Sequence, residues 1–185
     1  MKTCSFIITL ALGLAACASS DTSIDTTSLG SATSDSLALT SPEFMNAEEM
    51  PANASCDGAG ISPALAWTGA PDGTKEFALL MTTLAKDGTK YNWVLYGIPA
   101  STTSLANGSI GVGTAGLTSN GPNLAYSAPC SSGPGTKTYT FTLYALSETP
   151  TLPSDPKAVT GAVLEQAIAT LTLKKSSLDG EHTRP

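Results

Sequence analysis

Residues able to carry chemistry are scarce in this chain. Its only histidine, His182, stands three residues from the end of the 185-residue sequence. A general base, a catalytic triad and a histidine-containing metal site therefore each lack their usual component. Serines are plentiful, but none sits in a Gly-x-Ser-x-Gly elbow, and no Walker-type phosphate loop is present. The run GVGTAG (111–116) looks like a dinucleotide fingerprint, yet it lacks the following helix, and it reads as a flexible loop. The expectation is a non-enzyme with no cofactor and no metal. The cysteines say more. Leu14-Ala15-Ala16-Cys17 resembles a bacterial lipobox, in which small residues admit the signal peptidase and the cysteine thiol receives a diacylglycerol before cleavage; the alternative is an ordinary secretory signal with an incidental cysteine. His182 itself reads as a packing or exposed residue at the chain end.

The elements around that motif fit export. Lys2 precedes a small-and-apolar run from Phe6 to Ala16. Eleven helical residues rise only about 16 Å, half of a bilayer core, so residues 1–16 are expected to be a signal peptide and no membrane span. Several acyl chains on Cys17 would give lasting anchorage where one would be marginal. Ala18 and Ser19 follow with no acidic residue beside the cysteine, which under the enteric sorting rule favours the outer membrane. The expected location is thus the bacterial cell envelope, lipid-anchored, with the domain periplasmic or surface-facing. Residues 17–36 form the acylated cysteine and a tether: from Ala18 to Ser36 there are seven serines, four threonines and three aspartates, with no aromatic or basic residue. Such a segment buries too little apolar surface to offset its ordering entropy, and as a coil it reaches roughly 25 Å.

Residues 37–185 are expected to form one domain, since a chain of this length supports a single sizeable core. The net charge is -6 and the pI about 4.6. With no basic stripe to release counterions from a polyanion, nucleic acid is excluded as a partner. Period-two patterning dominates: TYTFTLYAL (138–146) alternates threonines against Tyr139, Phe141 and Leu143, as in a strand with one face on a core. EFALLMT (76–82) and NWVLYGI (92–98) are denser and read as strands covered on both faces, separated by the Asp87-Gly88 turn. One helix is predicted from Asp155 to Leu171, with Asp155 as cap, Pro156 in the first position, and Val159, Val163, Ala167 and Leu171 on its buried stripe, widened by Leu164 and Ile168. The fold class is mostly β with one or two accessory helices.

The ordered segments LALTSPEF (37–44), CDGAGISPALAW (56–67), APDGTKEFALLM (70–81), YNWVLYGIPA (91–100), YSAPC (126–130) and YTFTLYAL (139–146) carry a resemblance to bacterial members of the phosphatidylethanolamine-binding protein family, also called Raf kinase inhibitor-like proteins. The resemblance runs from about Leu37 to Arg184. It implies two packed antiparallel sheets and a small surface pocket that accepts anions such as phosphate or a phosphoethanolamine headgroup. In the family that pocket holds two aspartates, two histidines and an arginine. At the matching positions this chain has Thr83 and Ala85, then Asn92 and Lys137, then Thr138. Asn92 is thus a polar residue at the mouth of a buried strand because it inherits a pocket position, while Trp93 to Ile98 are core.

The resemblance also places Tyr126 and Pro129 of YSAPC at the pocket. The replacements exchange a titratable site for neutral hydrogen-bonding groups and one fixed cation. The plainer alternatives are a solvated surface charge for Lys137 and a turn residue for Thr83. Cys56 and Cys130, the pair left once Cys4 departs with the leader and Cys17 is acylated, open and end segments that flank the same end of the family's domain. A disulfide between them is expected, the alternative being two buried thiols. The leading functional reading is an envelope-anchored module binding a small polar or anionic ligand. The other is a protein-interaction module resembling the family's kinase- and protease-inhibiting members, with a protein partner engaged by the solvent loops from Ser101 to Asn123 and a vestigial pocket.

Overall fold

The structure is a computed structural model and describes residues 36–122 and 124–184. The expected signal peptide, the expected lipidation residue Cys17 and the expected tether up to Asp35 lie outside the described residues, as does Asn123. Among the described residues, nine strands and one α-helix follow in the order β1 (Ala38–Thr40), β2 (Glu48–Glu49), β3 (Leu65–Thr68), β4 (Glu76–Ala85), β5 (Gly88–Pro99), β6 (Ser104–Leu105), β7 (Thr114–Ala115), β8 (Gly135–Leu146), α1 (Gly161–Ile168) and β9 (Thr172–Arg184). They build a small sheet in the order β1-β3-β6 and a large one in the order β2-β9-β8-β4-β5-β7, antiparallel except where β2 runs parallel to β9. This is the mostly-β, two-sheet architecture that the sequence implies.

The central strands have two dry faces because their sequences are apolar at odd and even positions alike. On one face of β4, Phe77, Leu79 and Met81 join Phe141 and Leu143 of β8 and Trp67 of β3 in the core between the sheets. On the other, Ala78 and Leu80 meet Val94, Leu146, Leu164 and Ile168 under α1. Each large side chain fully buried here contributes about 1.5–3 kcal/mol relative to an exposed one. The threonine alternation of β8 appears as expected: Tyr139, Phe141 and Leu143 are buried and Thr138, Thr140 and Thr142 are not.

Three expectations change. The helix predicted over 155–171 is a 3-10 turn, Pro156–Ala158, followed by the eight-residue α1. Asp155 does cap, accepting from Lys157 N, but it caps the turn; Thr160 Oγ1 accepts from Val163 N and caps the helix itself. The buried stripe therefore runs Gly161, Leu164, Ile168, with Val163 and Ala167 only half-buried. In β5, Tyr96 is half-buried and Gly97 is exposed at φ 65, at a register shift, so the strand is not covered along its whole length. The segment from Ser101 onward is no continuous solvent loop: β6 and β7 pin it to both sheets and Leu105 is buried. GVGTAG contributes β7, and Gly116 packs against Val94 and the Val159 carbonyl too closely for any Cβ.

Candidate functional site

The β4–β5 hairpin turns at Lys86-Asp87, where Ala85 pairs with Gly88 and Gly88 takes φ 110. Near its base the register slips: Met81 pairs with Trp93 but Thr82 with Tyr91, which leaves Asn92 as an extra residue. Such a bulge re-aims the chain that follows it. Trp93 and Leu95 belong to the core between the sheets, and the bulge lets Asn92 and Lys90 continue on that same side, while Tyr91 turns to the helix layer. The polar amide at the mouth of a buried strand is the residue that the bulge inserts.

At that end the core opens into a cavity of about 350 Å³. Its walls are Thr83 and Ala85 of β4, Lys90 and Asn92 of β5, Lys137 and Tyr139 of β8, Asn120, and the segment Ser127, Ala128, Cys130 and Ser131. Thr83, Asn92 and Lys137 thus share one cavity. Tyr126 and Pro129 stand apart from it. Tyr126 packs edge-on against Trp93 with ring centroids 5.5 Å apart, donates to Ala54 O at 2.7 Å, and borders a second, apolar cleft of about 360 Å³. Burial pushes its phenol well above the ordinary value. Pro129 is buried and its carbonyl accepts from Cys56 N at 3.0 Å. Both hold the wall from behind.

Asn92 is 3% exposed. Its Nδ2 donates to Ser127 O at 3.1 Å, and its backbone carbonyl accepts from Ser127 N at 2.7 Å, so one residue fastens the 127–131 wall to β5. Its Oδ1 is buried with no hydrogen-bond partner among the described residues, an uncompensated acceptor. Thr83 Oγ1 spends its proton on Thr138 O at 2.8 Å, leaving only lone pairs for a ligand. Ser127 Oγ accepts from Asn120 Nδ2 at 2.9 Å and keeps its own donor. Among the described residues, two ammonium groups border the cavity and no carboxylate does. Lys90 pairs at 2.7 Å with Asp87 on the hairpin turn, and that hydrogen bond holds the Asp87 carboxyl below its usual range. Lys137 is exposed and has no ion-pair partner among the described residues. Burial raises the Tyr139 phenol, opposed by a hydrogen bond with the Cys130 backbone.

Sequence reasoning missed Lys90, Asn120, Ser127, Ser131 and Tyr139. Lys90 was findable, since it lies two residues before Asn92 and so on its face. The others come from loops and a neighbouring strand that only the fold brings together. Cys56 and Cys130 are bonded, with Cα atoms 5.4 Å apart, as expected. His182 is buried rather than exposed: Nδ1 is 3.4 Å from Glu49 Oε1 and Nε2 is 3.1 Å from Asp57 Oδ2, the latter off the line that a hydrogen bond needs. It does not border the cavity.

A family model described as phosphatidylethanolamine-binding protein matches residues 40–183. LppC of Mycobacterium tuberculosis (strain ATCC 25618 / H37Rv), a protein whose name calls it a lipoprotein, is 33% identical over 161 residues, spanning 86% of this chain and 78% of that one. A UPF0098 protein of Aquifex aeolicus (strain VF5) is 38% identical over 113 residues, 58% of this chain and 66% of the other. Among solved structures, a phosphatidylethanolamine-binding protein homologue of Chlamydia trachomatis aligns with TM-score 0.75 at 25% identity, over 82% of this chain and all of its own. E. coli YbcL aligns with TM-score 0.72 at 22% identity, over 80% of this chain and 99% of its own, a likeness of fold alone.

Proposed function

Because this chain belongs to the phosphatidylethanolamine-binding protein family, we propose that it is a lipid-anchored binding protein of the bacterial cell envelope whose cavity takes a small anion that also carries a hydrogen-bond donor. One observation carries the reading: in a chain of net charge -6, Lys90 and Lys137 border a carboxylate-free cavity around the buried, unpaired Asn92 Oδ1. The two cations favour an anion, and the acceptor asks that this anion bring a proton. A phosphate that retains an O–H, or a headgroup that joins phosphate to an ammonium, meets both demands. The lining groups are amides, hydroxyls, a phenol and two ammoniums, suited to holding a ligand, so binding is proposed rather than turnover. Anchorage through acylated Cys17 is supported by the Leu14–Cys17 motif and by the name of the mycobacterial relative. In that arrangement residues 1–16 are removed, 17–36 form the tether and 37–185 the binding domain. A second reading, a protein partner on the outer loop, is favoured by Ile110, an apolar side chain 96% exposed at the rim of the second cleft.

Thermal unfolding of the full chain with phosphate, phosphoethanolamine, sulfate and acetate tests the proposal. A ligand at a hundred times its dissociation constant adds about 2.7 kcal/mol, a midpoint rise of about 5–11 °C for a domain of this size. Phosphate should exceed sulfate, which has no proton for Asn92 Oδ1 at neutral pH, and Asn92→Ala should erase that difference. Lys137→Ala and Lys90→Ala should each weaken the shift. No shift with any of the four anions would overturn the reading and turn attention to the Ile110 loop.

A further inference from the structure

The Cys56–Cys130 bridge differs from a disulfide sunk in a core. Both cysteines are exposed, and neither belongs to either hydrophobic cluster. A guanidinium sits on them: Arg184 Nη1 lies 3.4 Å from Cys56 Sγ and 3.5 Å from Cys130 Sγ. That group is held in place from two further sides. Nη1 also donates to Ser131 O at 3.2 Å, and Nη2 pairs with Asp57 Oδ1 at 3.1 Å. Beside it lies a hollow of about 240 Å³ lined by Ser131, Ser132, Gly133, Pro134 and Arg184, with no acidic side chain among its walls. Cys130 itself borders the main cavity next door.

A positive charge next to sulfur stabilises thiolate over thiol, and a more stable thiolate leaves faster in disulfide exchange. We infer that this bridge is an exchange site for low-molecular-weight thiols that carry a carboxylate, with Arg184 stabilising the departing sulfur and the adjoining hollow seating the carboxylate. The incoming thiolate gives its electron pair to Sγ of Cys130, the bridge cysteine that borders the main cavity. The Sγ–Sγ bond breaks with its pair moving to Cys56 Sγ, which departs as a thiolate beside Arg184. One disulfide is consumed and one is formed, with no net oxidation and no further reactant. Cys56 remains close by, so it re-attacks the mixed disulfide and expels the thiol; the adduct accumulates only while thiol is in excess. The inference stands independently of which anion the main cavity holds.

The test uses the full chain in a Cys4→Ser, Cys17→Ser background, which leaves Cys56 and Cys130 as the only cysteines. Excess reduced glutathione is added at neutral pH, and samples are acid-quenched, desalted, alkylated and mapped by mass spectrometry. The expected result is a glutathionyl adduct on Cys130 with an alkylated Cys56, formed in the native protein at least as fast as in the denatured chain. Arg184→Met should slow the reaction roughly 3–10-fold through the higher pKa of the leaving sulfur, and Arg184→Lys should recover part of the loss. At equal thiolate concentration glutathione should outpace cysteamine, which carries an ammonium in place of a carboxylate. A native bridge slower than the denatured one, or Arg184→Met as fast as the parent, would overturn the exchange site. Equal rates for the two thiols would overturn the carboxylate seat.

Discussion

Replacing both bridge cysteines by serine gives a stability change whose size can be worked from the chain. The bridge spans 74 residues in sequence. In the chain-entropy model, closing a loop of that length removes about 15 cal/mol/K from the unfolded ensemble, or about 4.5 kcal/mol at 25 °C. Because both cysteines are exposed, the serines neither open a cavity nor bury a hydroxyl, and the loss reports the cross-link almost alone. The Arg184 contacts to sulfur pass to hydroxyls and change little. At about 2–4 °C per kcal/mol for a domain of this size, the melting midpoint should fall by about 9–18 °C. Thermal unfolding of Cys56→Ser/Cys130→Ser beside the oxidised parent, followed by circular dichroism, measures it. A fall under about 3 °C would refute the reasoning, because it would mean that the unfolded chain gains almost nothing from losing the constraint.

Asn92→Ala should cost about 1–3 kcal/mol, since Ser127 O loses its donor and the 127–131 wall loses one of its two ties to β5; an unchanged urea midpoint would contradict it. Gly161→Ala ought to stabilise an isolated helix, yet here the new Cβ would fall on the Tyr91 ring, so a net loss of about 1–3 kcal/mol is expected, shrinking in a Tyr91→Ala background. All five tyrosines are held protonated above their ordinary range, Tyr91 pushed to about 12 by burial first and then by its hydrogen bond to Glu165. Unfolded tyrosine ionises near 10, so the contribution is complete below pH about 10 and is lost as pH rises toward 12. Denaturation midpoints that stay level across that window would contradict this.

How legible this was depended on range. The β4, β5 and β8 strands could be read because their apolar runs and turn residues are local signals, and the threonine alternation of β8 even told its faces apart. The helix was misjudged because the four-residue spacing from Val159 to Leu171 continues through a break: Val159 takes φ -89 and ψ 83, and its side chain is buried from a turn rather than from a helical face. At the cavity, the positions Thr83, Asn92 and Lys137 could be located by family likeness, but their chemistry could not. Thr83 has spent its proton on a neighbouring strand's carbonyl, Asn92 faces inward only because of a one-residue register slip, and Asn120 and Ser127 arrive from a loop distant in sequence. None of these is a property of a short window of sequence. Tyr126 shows the opposite failure, a family position whose side chain supports the wall from the far side.

The order of the large sheet carries one more consequence. Its four long strands, β9, β8, β4 and β5, are flanked on either side by β2 and β7, each two residues long. A long strand with free backbone groups is a template on which another chain can pair, and short flanking strands blunt that template. Here β2 lays two glutamates along the edge of β9, and β7 seals β5 where Gly113 and Gly116 let the backbones close up. Bulk at Gly116 would lift β7 away and bare the edge of β5 while most of the fold persisted. The damage would then register as self-association of native-like chains, with light scattering rising at temperatures where circular dichroism still reports an intact sheet.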